Sequence, residues 1–485
     1  MEEAASLPSS LAGNSEIPLC VDLDNTFIKT DVLVEGLIKL VKTNPFAIVW
    51  VPYWLIRGKA RLKAEVAARA EQDISLLPVN GDLLTWLQAE RAEGRRVILC
   101  TGANERVANG VAAHYGLFEA VLSSNSTSNL TGKAKALALE RQYGLRGFDY
   151  VGNELKDTHV WDRARHAIVA SPTPLLRKRL GQIRNLKRVF DRPTGTIGQW
   201  LYAIRAHQWT KNLLIFMPAV PSHRLFELPI LLTASIAMLW FCLCASGTYI
   251  VNDLLDLDAD RKHPRKRYRP FAAGEIPLTQ GILAAAFLIV GSIVGGALTL
   301  GLQYMAALAM YLAGTLWYST ALKRIAMVDV LALAGLYTMR VLAGGVATNI
   351  IPSFWLLAFS MFMFLNLAIV KRYIELRSLL SGGESVAIGR GYNTDDLSLL
   401  LSCGASAGFT SVLVLALYIN GGIATSYRYP QALWLLCPLL LYWILRVWRK
   451  AHRGELHDDP VVFALTDKPS LLLAFLCFVL FWIAL

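Results

Sequence analysis

The chain is 485 residues long, 54% hydrophobic and only 17% charged, which is too few charges for a wholly soluble protein. Its net charge of +12 is gathered in short basic clusters between apolar runs and in the stretch 177–192. No soluble basic face with interleaved aromatics is present, so a nucleic-acid partner is excluded. Seven cysteines fall singly, apart from Cys242 and Cys244. That pair would lie about 200° apart around a helix; no metal or disulfide spacing is visible, in keeping with a reducing compartment.

Residues 1–17 are polar, with no positive segment ahead of an apolar core; a disordered lead-in is expected, not a signal peptide. Residues 18–171 read as a soluble α/β domain. Apolar strands are predicted at 18–22, 96–100 and 149–152, and helices at 81–93 and 136–143. Strands alternating with helices, each strand ending in a polar loop, indicate a parallel sheet with its site at the strand C-termini. Pro45–Ile56 is apolar, aromatic and too short to span a bilayer, which leaves two readings, a cap element or an interfacial helix against lipid. Residues 172–197 read as a basic linker.

From residue 198 onward the chain is a succession of apolar runs, read as an all-α membrane domain of about nine spans: 211–220, 229–251, 280–298, 302–320, 327–347, 354–370, 398–418, 432–447 and 470–485. Loops after the even-numbered spans carry the cations, among them Arg261, Lys262, Arg265 to Arg267, Lys323, Arg324, Lys371, Arg372, Arg377, Arg390, Arg449 and Lys450. Loops after the odd-numbered spans carry only Arg224 and Arg428. The positive-inside rule therefore puts the even loops and the soluble domain on the cytoplasmic side, as in a bacterial-type inner membrane.

Two constellations carry chemistry. In the first, Asp22-x-Asp24 follows an apolar strand, where two carboxylates can act on a phosphate as nucleophile and general acid/base. Thr101-Gly102 ends the second strand and can hold a phosphoryl oxygen. Gly132-Lys133 offers a cation, with Lys135 as a rival, and Gly152-Asn153-x-x-x-Asp157 adds a carboxylate for Mg²⁺. In the second, Asn252, Asp253, Asp256 and Asp260 follow an apolar span. Spacings of three and four put the three carboxylates on one face of a continuing helix, with Asp258 off it. Like charges so placed call for a cation such as Mg²⁺ with phosphate oxygens. Arg261 to Arg269 contains six cations, including Lys266, Arg267 and Arg269, suited to further phosphates. A solvated positive-inside loop would account for the cations but not for carboxylates at a span end.

Other polar residues lie at cytoplasmic span ends: Lys211, Asn212, Tyr318, Lys323, Asp329, Tyr337, Lys371 and Arg372. Arg340 is mid-span, must face a cavity or the bundle interior, and lies nearly on the same face as Asp329, so a structural ion pair competes with a substrate role. For Lys371 and Arg372, a positive-inside anchor competes with phosphate binding. His457-Asp458-Asp459-Pro460 is read as a cap or turn.

The first constellation resembles the haloacid dehalogenase phosphatase superfamily over residues 17–170. The resemblance implies Asp22 as nucleophile, Asp24 as acid/base, Thr101 and Lys133 as phosphoryl ligands, and Asp22 with Asp157 as Mg²⁺ ligands. Asn153 stands where many members have an acidic residue. The second, with Arg267-x-Arg269-Pro270-x-x-x-Gly274 and Arg205-x-His207-Gln208-Trp209-x-Lys211-Asn212, resembles the UbiA-type intramembrane prenyltransferase superfamily over about 198–485. His263-Pro264-x-Lys266-Arg267, Tyr337-x-x-Arg340 and Lys371-Arg372-Tyr373-x-Glu375 most resemble decaprenyl-phosphate phosphoribosyltransferases. That implies Mg²⁺ held by Asn252, Asp253, Asp256 and Asp260, with Lys266, Arg267, Arg269, Lys323, Arg340, Lys371 and Arg372 toward phosphates. It also implies Lys211, Asn212, Tyr318, Asp329 and Tyr337 at the substrate cavity, phosphoribosyl diphosphate as donor and polyprenyl phosphate as acceptor. The second aspartate-rich motif of aromatic prenyltransferases is missing, with only Asp329 in that region. A prenyltransferase for quinone-type lipids and a non-enzymatic lipid-binding scaffold are the rival readings, and oligomeric state is left open.

Overall fold

The computed structural model describes residues 17–191, 194–381, 391–421, 427–456 and 460–484. The chain divides into two compact units, Met1–Ile204 with Tyr249–Ala284, and Arg205–Thr248 with Ala285–Leu485.

The first unit is built on six strands: β1 (Leu19–Val21), β2 (Val97–Asn104), β3 (Ala120–Ser124), β4 (Asp149–Gly152), β5 (Ala167–Ala170) and β6 (Leu186–Phe190). They pair in parallel in the order β3-β2-β1-β4-β5-β6. Strands buried on both faces read as short apolar runs without alternation, and Leu-Cys-Val and Val-Ile-Leu-Cys are such runs. Helices α1 (Val32–Thr43), α2 (Lys59–Arg69), α3 (Gly81–Ala92), α4 (Glu105–Tyr115) and α5 (Lys133–Tyr143) belong to the same unit. Leu19, Leu99, Val111 and Ile168 fill one core, and Cys20, Ile98, Leu139 and Val169 fill another. The strand order reverses between β1 and β4, and an open α/β sheet binds ligands at the strand ends of such a switch point. Asp22 and Asn153 follow those two strands directly.

Three differences from the expected elements matter. Strand β2 runs past Cys100 to Asn104, with its register broken between those residues, so Thr101 and Gly102 lie in an irregular stretch of strand rather than after it. The stretch expected as a linker contributes β6, the outer strand beside β5. Strands β3 and β5 escape the sequence pattern altogether.

Further helices include α6 (Leu228–Leu255), α7 (Leu257–Lys262), α8 (Leu278–Leu300), α9 (Leu302–Thr320), α10 (Val328–Thr348), α11 (Phe354–Ser381), α12 (Leu397–Asn420), α13 (Leu436–Arg453) and α14 (Lys468–Ala484). Among the described residues seven helices are long and apolar enough to cross a membrane, against the nine spans expected. The first expected span is instead a tight 3₁₀ segment, Ala206–Ala219, and the last, α14, has 17 residues. Side chains such as Phe287 (77% exposed) and Leu298 (82%) face outward, which only a hydrocarbon surround makes favourable. The chain is an integral membrane protein.

Inside the second unit, α10 packs unusually close to the 3₁₀ segment at Gly344. A Cβ there would meet the backbone oxygen of Ile215 at 2.0 Å, so any other residue would push the segment away. This approach brings Asn212 within reach of Arg340.

Candidate active sites

The phosphatase-like site grows from β1. Asp22 follows the strand, its N–H donating to Val151 on β4 at 3.0 Å, so the sheet itself fixes its position. Oδ1 of Asp22 accepts from the Leu23 N–H at 2.9 Å and from Lys135 Nζ at 2.8 Å. Both bonds go to the same oxygen, Oδ1, and not to Oδ2. Lys135 also donates to the Tyr150 hydroxyl, which donates in turn to Asp157 Oδ1 at 3.2 Å. Asp157 Oδ2 is cradled by the N–H groups of Asn153 and Glu154, each at 2.9 Å. Burial and the neighbouring Asp22 carboxylate raise the Asp157 pKa to about 6. Burial lowers the basicity of Lys135, but the Asp22 and Asp157 carboxylates outweigh it and hold the ammonium form firmly.

Asp24, on the turn after Asp22, accepts from the Val32 N–H at 2.9 Å. Burial, reinforced by the nearby Asp31 carboxylate, raises its pKa well above its ordinary value. Thr101 is fully buried, its hydroxyl accepting from the Ala103 N–H. Lys133 is exposed, whereas Lys135 is buried against Asp22, so the cation of this site is the lysine two residues on. Sequence reasoning missed Lys63. It lies on α2, donates to the Gly102 carbonyl at 2.6 Å and to Asn129 at 2.9 Å, and burial lowers its pKa in spite of Asp24 and Asp31.

The carboxylate-rich motif also lies in the first unit. Helix α6 stops at Leu255, the chain bends at Asp256, and α7 resumes, so the face is not one of an unbroken helix. The i to i+4 bonds survive the bend, with Asp256 N–H donating to Asn252 and Asp260 N–H to Asp256. Asp253 and Asp260, both buried, converge on Arg269 Nη1 at 3.0 and 2.7 Å. Burial raises the Asp260 pKa although Arg269 opposes it. Asp256 meets Lys42 at 3.6 Å and Asp258 meets Lys39 at 3.1 Å, both lysines on α1. Arg261 forks onto Glu35 of the same helix, donating to both carboxylate oxygens at 2.6 and 3.0 Å with both side chains buried. Lys266 is half-buried, and Arg267 is exposed against the Tyr268 ring.

Sequence-predicted residues of the second unit gather at two polar centres among the described residues. Arg340 is buried among the rings of Phe241, Tyr311 and Tyr337, donating to Asn212 at 2.8 Å and to the Leu336 carbonyl at 2.6 Å. Lys211 lies over the Tyr337 ring, which stacks on Phe364. The considered Asp329–Arg340 ion pair is replaced by another. Asp329 accepts from Arg372 at 2.5 Å and from the Tyr392 hydroxyl, while Arg372 also reaches Glu375 and Tyr318. Arg372 is thus committed to carboxylates, and Lys371 is exposed and Lys323 half-buried. Arg390 and His457, Asp458 and Asp459 lie outside the described residues.

No three acidic, histidine or cysteine side chains form a ready metal cage among the described residues. The donors nevertheless fit Mg²⁺ at both places. They are hard carboxylate oxygens, and Mg²⁺ takes few of these, completing its shell with water and phosphate oxygens. Asp253 and Asp260 are already drawn to one cationic group, and Asp22 and Asp157 lie close enough to perturb each other.

Residues 214–479 match the family model of the UbiA prenyltransferase family, and residues 22–158 match haloacid dehalogenase-like hydrolase. The chain belongs to the UbiA prenyltransferase family and carries a haloacid dehalogenase-like domain at its N-terminal side. It is 34% identical to the uncharacterized protein y4nM of Sinorhizobium fredii, over 94% of this chain and 88% of the relative. It is 36% identical to the nodulation protein NoeC of Azorhizobium caulinodans, over 56% of this chain and 87% of that protein. It is 37% identical to the decaprenyl-phosphate phosphoribosyltransferase of Mycobacterium tuberculosis, over 40% of this chain and 65% of that enzyme.

Proposed function

We propose that the membrane half transfers 5-phosphoribose from phosphoribosyl diphosphate to a polyprenyl phosphate, and that the soluble domain removes the 5-phosphate from the lipid product. The observation that carries the choice of donor is the state of Asp329. Held by Arg372 and Tyr392, it stands alone in the region where a prenyl diphosphate and an aromatic acceptor would call for a second acidic cluster. The similarity to decaprenyl-phosphate phosphoribosyltransferase supports the same choice. The loop charges favour the cytoplasmic face of an inner membrane for both sites.

Mg²⁺ held by Asn252, Asp253, Asp256 and Asp260, and by Asp22 and Asp157, would neutralise charge on the leaving diphosphate and on the transferred phosphoryl group. In the transfer, an oxygen of the lipid phosphate bonds to the anomeric carbon as the bond to diphosphate breaks. The attacking oxygen is already ionised, so no base is needed. Arg269, Lys266, Arg267 and Lys323 bind the phosphates. Arg340, with Asn212, Lys211 and Tyr337, supplies a buried cationic surface in the apolar bundle for an anionic headgroup.

In the hydrolysis, Asp22 Oδ2 bonds to phosphorus and the ester P–O bond breaks, the leaving oxygen taking the proton of Asp24. Asp24 then takes a proton from water, which cleaves the aspartyl phosphate and frees inorganic phosphate. Lys135 balances the charge on Asp22 throughout.

Membranes containing the chain are given ribose-labelled phosphoribosyl diphosphate with polyprenyl phosphate, or labelled prenyl diphosphate with an aromatic acid. Label entering lipid only from the sugar donor is the expected result. Transfer only from the prenyl donor would establish the rival.

A further inference from the structure

The segment Pro45–Ile56 follows α1 after the single non-helical residue Asn44. Its inner side is anchored, with Ala47 and Trp54 buried among Leu40, Leu62, Val66 and Ala70. Its outer side is bare. Phe46 is 83% exposed, Val49 71% and Ile56 85%, and Ile48, Trp50, Tyr53 and Leu55 are exposed as well. So large a contiguous apolar patch marks a surface that meets something other than water.

What it meets is decided by its position and its charge. Lys42 of α1 pairs with Asp256, one residue past the end of the membrane helix Leu228–Leu255, within the same compact unit. From Lys42 to Pro45 the chain can reach at most about 11 Å. The apolar segment therefore begins near the end of that membrane helix. Twelve helical residues cover about 18 Å, short of the ~30 Å core, so the segment cannot cross and can only lie in the interface. Between residues 36 and 64 there are six cations (Lys39, Lys42, Arg57, Lys59, Arg61 and Lys63) and no acidic residue. Arg57 covers the Tyr53 ring at 4.8 Å, and Trp, Tyr and Arg together suit the headgroup region.

We infer that Pro45–Ile56 is inserted in the headgroup region of the bilayer, with Arg57 and Lys59 on anionic lipid phosphates. Insertion ties the haloacid dehalogenase-like domain to the membrane surface where a lipid-borne phosphate is presented. In that consequence it deepens the proposed phosphatase reading, but the position itself does not depend on it.

The full chain is reconstituted in phosphatidylglycerol and phosphatidylethanolamine vesicles and photolabelled with a membrane-confined aryl diazirine, and peptides are mapped. Label on the peptide bearing 45–56 at least fivefold above that on Gly81–Ala92, and within about threefold of that on Leu278–Leu300, is the expected result. Label no higher than on Gly81–Ala92 would overturn the inference, and so would cross-linking of this peptide to a second copy of the chain in place of lipid. Labelling reads position alone, so its failure leaves the proposed activities standing, and inactive transferase or phosphatase leaves the labelling result standing.

Discussion

The Asp22–Lys135 bond shows how one side chain settles what spacing leaves open. Lys133 and Lys135 both open α5, and only the phase of that helix decides which faces the nucleophile. Gly132, at φ +51°, sets the phase by turning the chain sharply before the first helical residue. Lys135→Met is expected to lower hydrolysis of p-nitrophenyl phosphate by roughly 10²-fold, the usual consequence of losing one electrostatic partner of a developing charge. Lys133→Met is expected to change it less than twofold. Equal losses in the two variants would contradict the assignment. The juxtaposition of Asp22, Asp24 and Asp157 was legible because the first two follow a short apolar run, where a carboxylate has no packing reason to be, and the third comes five residues after the run that ends at Gly152. Lys63 was not, because it reaches Gly102 and Asn129 from a helix far away in sequence.

At the scale of elements, α1 is the part that sequence pattern describes least and structure most. Its N-terminus is held by Asp31, which caps Leu33 and Val34, and by Asp24, which accepts from Val32. Further along the helix Glu35, Lys39 and Lys42 hold Arg261, Asp258 and Asp256. Asp24 of one candidate site and Asp256 of the other thus both bond to this one helix. Glu35→Gln leaves Arg261 buried and half paired, and is expected to destabilise the first unit by about 3 kcal/mol. Lys39→Ala removes a half-exposed pair and should cost less than about 1 kcal/mol. Thermal unfolding of the detergent-solubilised chain checks the order; a larger shift for Lys39→Ala would refute it. The same pairing could not be read from one-dimensional spacing, since its partners are more than 200 residues apart. β6 was hidden for another reason. An edge strand tolerates charge, and Lys187 and Arg188 made Leu186–Phe190 look like linker. The bend at Asp256 was hidden because carboxylates at i and i+4 look alike on a straight helix and on one broken and resumed.

The whole molecule joins an α/β domain to a membrane bundle, and that division was plain from composition, because only hydrocarbon accommodates runs such as 278–300. The count of spans was less plain. Hydropathy cannot tell a crossing helix from the short 3₁₀ segment Ala206–Ala219, whose work is to bring Asn212 to Arg340. We propose that two chemistries on one chain act in succession on one lipid. The direct test is a double-label experiment with phosphoribosyl diphosphate carrying ¹⁴C in ribose and ³²P in the 5-phosphate, supplied with polyprenyl phosphate and Mg²⁺. The parent chain is expected to carry ¹⁴C into lipid while ³²P appears as inorganic phosphate, and Asp22→Asn is expected to keep both labels on the lipid. An Asp253→Asn chain should carry neither. If Asp22→Asn releases ³²P from the lipid as fast as the parent, or if ¹⁴C never enters lipid, the account is contradicted.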